Sequence, residues 1–137
     1  MEHELMKELV KELAKEHAEE LGIRDDQLFV GGESAGGGLA VAVSLMARDR
    51  REVNIAFLMP LYPMLDDRDT ESSYNNHNKV WNTRRNHQAW QIYLRGKRNR
   101  EHLPVYAVPG RQTDYHDLPP AYTYVCTGEP FYDETML

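Results

Sequence analysis

The 137-residue sequence predicts an α/β fold of about three parallel strands with flanking helices, on three observations. Short apolar runs of strand length occur at "QLFVGG", "NIAFLMPLYPML" and "AYTYVCT", and each is bounded by glycine, proline or polar residues. Segments with helical spacing separate them. The order strand, helix, strand, helix, strand is that of parallel strands joined by right-handed crossovers.

The spacing predicts an opening helix over Glu2 to Leu21, with Leu5, Leu9, Leu13 and Leu21 plus Val10, Ala14 and His17 forming one apolar stripe. Glu4/Lys7, Glu8/Lys11 and Glu12/Lys15 lie on the opposite face at (i, i+3) spacing. Gly22 follows, where a left-handed C-cap is expected. After a turn at Ile23 to Asp26, "QLFVGG" is read as a buried strand, and "SAGGGLAVAVSLMARDR" as a helix with small residues on one side and Leu39, Val43 and Met46 on another. Glycine inside a helix costs about 1 kcal/mol relative to alanine. Gly36, Gly37 and Gly38 in succession therefore imply that something approaches that backbone closely.

The second strand is expected within Asn54 to Leu65 and is stopped by Pro60 and Pro63. Asp66 to Asn78 is read as a loop, Asn82 to Leu94 as a helix with Trp90, Tyr93 and Leu94 on its apolar face, Leu103 to Pro120 as irregular, and Ala121 to Thr127 as the third strand. With no repeat, low-complexity tract or linker, residues 1–137 are read as a single domain.

Hydrophobic residues make up 41% and charged residues 28%, an ordinary balance for a globular chain. The net charge of −6 argues against nucleic acid as a partner. Lys79, Arg84, Arg85, Arg95, Lys97, Arg98 and Arg100 form a local basic run, which is read as a solvated helix face and loop. Cys126 is the single cysteine and has no internal partner for a disulfide. No apolar run reaches the roughly 20 residues of a membrane helix, and no signal-peptide core is present. The expected location is cytoplasmic, with no membrane partner.

Gly32-Glu33-Ser34-Ala35-Gly36 is a Gly-x-Ser-x-Gly pattern between a predicted strand and a predicted helix. A nucleophilic serine presented there needs neighbours of little bulk, which Gly32, Ala35 and Gly36 supply. The helix that starts beside Ser34 aims its N–H groups at a developing oxyanion, with the Ala35 N–H as first donor. The Gly-Lys-Ser/Thr of a phosphate loop is absent, and the glycines do not fit a dinucleotide fingerprint.

"GGESAGGGLAVAVSLMARDR", "LMPLYPMLDDR" and "DLPPAYTYVCTGEPFYDET" together resemble successive landmarks of the α/β-hydrolase superfamily, in its hormone-sensitive-lipase-like esterase branch. The resemblance runs from about His17 to the C-terminus. It implies a carboxylic ester hydrolase acting on small-molecule esters by acyl transfer, with Ser34 as nucleophile, Ala35 in the oxyanion hole, and no metal or organic cofactor. It sets Glu129-Pro130-Phe131-Tyr132-Asp133-Glu134 against the family's acid-bearing run. That makes Glu129 the catalytic acid, with Asp133 as the alternative and Glu134 as helix N-terminal charge.

The resemblance also places a histidine after the acid, and no histidine occurs among residues 130–137. His3, His17, His77, His87, His102 and His116 all precede Glu129, and His116 is the least implausible substitute. The family's His-Gly-Gly segment before the serine is likewise absent. The expectation is an incomplete domain whose parent is an esterase but which does not turn over by itself, with open sheet edges suited to self-association. The alternative is a non-catalytic hydrolase-derived fragment acting as an interaction module.

Overall fold

A computed structural model describes residues 17–95 and 103–137 of the chain. Most of the predicted opening helix lies outside them; its end is helix α1, Ala18–Leu21. Gly22 closes it in the left-handed conformation expected of it, at φ 64° and ψ 28°. The Gly22 N–H bonds to Glu19 O and the Ile23 N–H to Ala18 O, so a Schellman motif satisfies the last carbonyls.

Strand β1, Leu28–Glu33, pairs in parallel with β2, Ile55–Leu61, in a register that sets Val30 opposite Leu58 and Glu33 opposite Leu61. Helix α2, Ala35–Arg50, connects them and packs on both. Its buried residues run from Gly37 to Met46 with Leu39 alone half-buried, so it is a central helix covered nearly all round, not the two-sided one its pattern suggested. Ala40, Val41 and Leu45 of α2 meet Leu58 of β2, with Val30, Leu65, Tyr106 and Leu118 around them.

The glycine run of α2 divides in two. A Cβ on Gly38 would fall on the Met64 carbonyl, and one on Gly37 would lie 2.9 Å from Pro63 Cβ. The approaching group is therefore the chain that leaves β2. A Cβ on Gly36 would meet nothing within 4 Å, so the close approach expected there does not occur among the described residues.

The third predicted strand is extended beside β2 but forms only an isolated parallel bridge, Leu58 with Ala121. Proline chemistry accounts for the shortfall. The Leu58 N–H bonds to Pro120 O, the Tyr122 N–H to Leu58 O, and the Tyr62 N–H to Tyr124 O. The rung between them falls at Pro60, which has no N–H to donate. Thr123 Oγ1 donates to Pro60 O, so a side-chain bond joins the two segments at that point.

The loop predicted over Asp66 to Asn78 contains a one-turn helix, α3, Glu71–Tyr74, closed by a capping box between Thr70 and Ser73. Helix α4, Thr83–Tyr93, starts at Asn82, whose side chain accepts the Arg85 N–H at 3.1 Å. Trp90 and Leu94 of that region join Met64, Leu103, Val108 and Phe131 in a second apolar cluster. A 3₁₀ turn at Pro109–Arg111 and a final short helix, α5, Tyr132–Met136, complete the described chain. No helix among the described residues is long and apolar enough to cross a membrane.

Candidate active site

Ser34 sits where β1 ends and α2 begins, at φ 53° and ψ −117°. An L-residue holds that conformation only at a cost of about 1–3 kcal/mol, met by the surrounding bonds. The Ser34 N–H donates to Leu61 O at 3.0 Å, which joins it to the end of β2. Its carbonyl accepts the Gly38 N–H at 3.1 Å and the Met64 N–H at 2.9 Å. The serine side chain takes no part in capping α2. A Cβ on Gly32 would strike the Gly36 carbonyl, so the tightness of the turn itself requires glycine at that position. Ala35, the first residue of α2, is exposed, and its N–H belongs to the first turn, where no carbonyl of the helix can accept it.

Next to this turn lies a cavity of about 600 Å³, bounded by Ala35 and Leu39 of α2, Met64, Trp90 and Tyr93 of the second cluster, and Tyr106. Its lining is mainly apolar, and Ala35 ties it to the serine turn.

Glu129 is half-buried in a turn after the third extended segment. Its N–H donates to Cys126 O at 2.9 Å, and its carbonyl accepts the Tyr132 N–H at 3.1 Å. Asp133 is differently employed: its Oδ2 accepts the Ser72 N–H at 2.7 Å, which caps the short helix α3. Glu134 stands in the first turn of α5 as expected, but not as the helix N-terminal charge expected of it. Its Oε1 accepts the Leu65 N–H at 2.9 Å in a buried setting, and burial, with Asp66 adding to it, pushes its carboxyl up to about 8.

The described histidines are engaged elsewhere or lie at the surface. His17 pairs with Glu20 at 3.0 Å, His87 with Asp69 at 2.8 Å and His116 with Asp114 at 2.8 Å, while His77 is exposed. Among the described residues no histidine is hydrogen-bonded to Ser34 or Glu129. His3 and His102 lie outside them, as do Lys97, Arg98 and Arg100 of the basic run. Arg85 of that run is exposed and donates to the Lys79 carbonyl at 2.9 Å.

The family characterised by the α/β hydrolase fold matches residues 4–137. The chain belongs to the α/β hydrolase family. Several solved structures similar to it are of esterases. A bacterial heroin esterase is 35% identical, with a TM-score of 0.82 over 93% of this chain and 41% of that one. The esterase LipW of Mycobacterium marinum is 28% identical, with a TM-score of 0.85 over 94% of this chain and 40% of its own. A thermostable esterase of Pseudomonas putida is 26% identical, with a TM-score of 0.85 over 98% and 42%. These likenesses set the hydrolase in the hormone-sensitive-lipase-like branch, and the chain spans about two-fifths of the length of the esterases it matches. No match was found among curated proteins.

The sequence of this chain left one residue beside the site without a role. Tyr62 follows β2 at φ 35°, and its ring meets Tyr124 edge-on at 5.6 Å between centroids. A hydrogen bond to the Glu33 carboxylate holds the Tyr62 phenol above its ordinary range, with Glu129 among the charges acting in the same direction. The available signal was the Tyr-Pro pair closing the second strand, which marked the family without revealing that Tyr62 meets Glu33 and feels the charge of Glu129.

Proposed function

We propose that Ser34 is the nucleophile of a carboxylic ester hydrolase and Glu129 its acid, the parent protein acting on small-molecule esters of small or medium acyl groups. The observation that carries this reading is the backbone of Ser34, held at φ 53° and ψ −117° between a strand and a helix N-terminus. Ser34 Oγ attacks the ester carbonyl, and the Ala35 N–H stabilises the oxyanion that forms. A histidine takes the serine proton and passes it to the leaving alcohol, oriented by Glu129. The apolar cavity beside Ala35 suits the acyl chain. No step calls for a metal or an organic cofactor.

The described residues bring no base to Ser34, so the isolated chain is expected to be inactive. A chimera in which these residues replace the matched stretch of the bacterial heroin esterase tests the assignment. Turnover of a p-nitrophenyl ester is expected from the chimera, lost on Ser34→Ala, and absent from the isolated chain. A folded chimera without turnover, or turnover that survives Ser34→Ala, contradicts it.

A second reading is favoured by the edge of β1, where Phe29 is 74% exposed. It takes the chain as a non-catalytic module that self-associates through that edge. Sedimentation across a concentration range decides: association weakened by Phe29→Lys supports it, and a folded monomer at every concentration rejects it. In either role a cytoplasmic setting is proposed, on the absence of a second cysteine to pair with Cys126.

A further inference from the structure

The turn that carries Glu129 is fastened from two sides. From the α3 region, Asn76 Nδ2 donates to Gly128 O at 3.1 Å and Ser72 Oγ to Pro130 O at 2.9 Å, bracketing Glu129. From α5, Asp133 and Ser72 bond reciprocally: the Ser72 N–H donates to Asp133 Oδ2 at 2.7 Å, and the Asp133 N–H to Ser72 Oγ at 3.1 Å. One residue further on, Glu134 Oε1 accepts the Leu65 N–H at 2.9 Å. Leu65 follows Met64, whose own N–H donates to the Ser34 carbonyl at 2.9 Å. Two adjacent backbone N–H groups thus bond in opposite directions, one to the serine turn and one to the helix that closes the acid turn.

We propose that Asp133 and Glu134 are positioning residues that fix the Glu129 turn relative to Ser34, through Ser72 and Leu65 respectively. The proposal rests on reading Ser34 and Glu129 as nucleophile and acid. Glu134 is suited to the task as a neutral group. Its Oε2 is buried, the Asp66 backbone N–H lies toward the carboxyl, and the ionisable group facing it is the Asp66 side chain. Asp66 is itself held as a carboxylate by Arg68, with bonds to its Nε at 2.9 Å and its Nη2 at 2.5 Å, and Arg111 acts in the same direction. An ionised Glu134 beside Asp66 would place two carboxylates in one buried site. Neutral Glu134 keeps its acceptor for Leu65 without that repulsion. Asp133 caps α3 by accepting the Ser72 N–H.

Amide hydrogen exchange on the 137-residue chain tests the assignment, corrected for intrinsic rates at pH 6 and pH 9. The amides of Glu129 and Tyr132 report the acid turn itself, and that of Leu65 reports the tether. In Glu134→Ala, protection at all three is expected to fall about tenfold or more at pH 6. Wild type is expected to lose protection similarly at pH 9. Glu134→Gln, which keeps the acceptor and stays neutral, should hold protection within about twofold at both values. A residue serving only to stabilise α5 would loosen Thr135 and Leu137 and leave Glu129 unchanged.

The proposal is overturned if Glu129 and Tyr132 stay protected in Glu134→Ala, or if Glu134→Gln loses as much as Glu134→Ala. Should Glu134→Ala fail to fold, Ser72→Ala tests the other limb: released Asp133 and Tyr132 amides support it, and unchanged ones overturn it. Exchange does not read ester chemistry. Loose amides in an active chimera would sink the positioning role alone, and tight amides in an inactive one would sink the catalytic reading alone.

Discussion

The Ser34 turn and the Glu129 turn, proposed to carry nucleophile and acid, are held by different means. Around Ser34 the ties are backbone to backbone: its N–H to Leu61 O, and its carbonyl to the Gly38 and Met64 N–H groups. Around Glu129 they are largely side chain to backbone, from Ser72, Asn76, Asp133 and Glu134. A turn tied by backbone demands absent side chains. A turn tied by side chains demands particular ones, and it inherits their titration.

The largest expected effect breaks the serine turn. Gly32→Ala and Gly38→Ala each drive a Cβ onto a carbonyl oxygen. Each should destabilise the chain by roughly 3 kcal/mol or more, read as a shifted denaturant midpoint. Ordinary stability in either variant would mean that the turn is looser than described.

Next comes the pH dependence of the acid turn. Glu134 rises from 4.5 to about 8 on folding. Below pH 4.5 both states are protonated and its burial carries no ionic penalty. Between 4.5 and 8 the unfolded chain releases a proton that the folded chain keeps, so stability falls as pH rises, and above 8 the loss is complete at roughly a few kcal/mol. Urea titrations of wild type and Glu134→Gln should therefore diverge across that window. Parallel curves would contradict the buried neutral acid.

Smaller still, Asn76→Ala removes the bonds to Gly128 O and Ser72 O. A loss of about 1–2 kcal/mol is expected, with the Ser34 region unperturbed in amide shifts. Smallest is Gly36→Ala, which meets open space and has no positive φ to forbid it. It should be neutral or stabilise by about 0.5–1 kcal/mol, in contrast to its neighbour Gly38.

The same division explains what the sequence made legible. Backbone-determined features leave compact signatures, and the strand, Gly32-Glu33-Ser34-Ala35-Gly36 and the helix to Arg50 appear where their pattern placed them, although β1 alternates half-buried and exposed residues where a buried strand was expected. Gly22 likewise fills the capping position its chemistry suggests, whereas Asn82, read as the first residue of its helix, is its N-cap. Side-chain ties between distant segments leave none. Nothing in "FYDETML" announces that Glu134 is buried against Leu65, because that environment is assembled from residues nearly seventy positions apart. The third strand was legible as extended chain, but its missing rung depended on which face of β2 Pro60 would turn toward it.

The most direct measurement is covalent labelling of the chimera that carries residues 17–137 within the bacterial heroin esterase. A serine-directed phosphonate should attach one equivalent to Ser34, located by peptide mass spectrometry, and Ser34→Ala should abolish the adduct. A folded chimera that takes no label, or takes it at another residue, would contradict the reading of this turn as a nucleophile elbow.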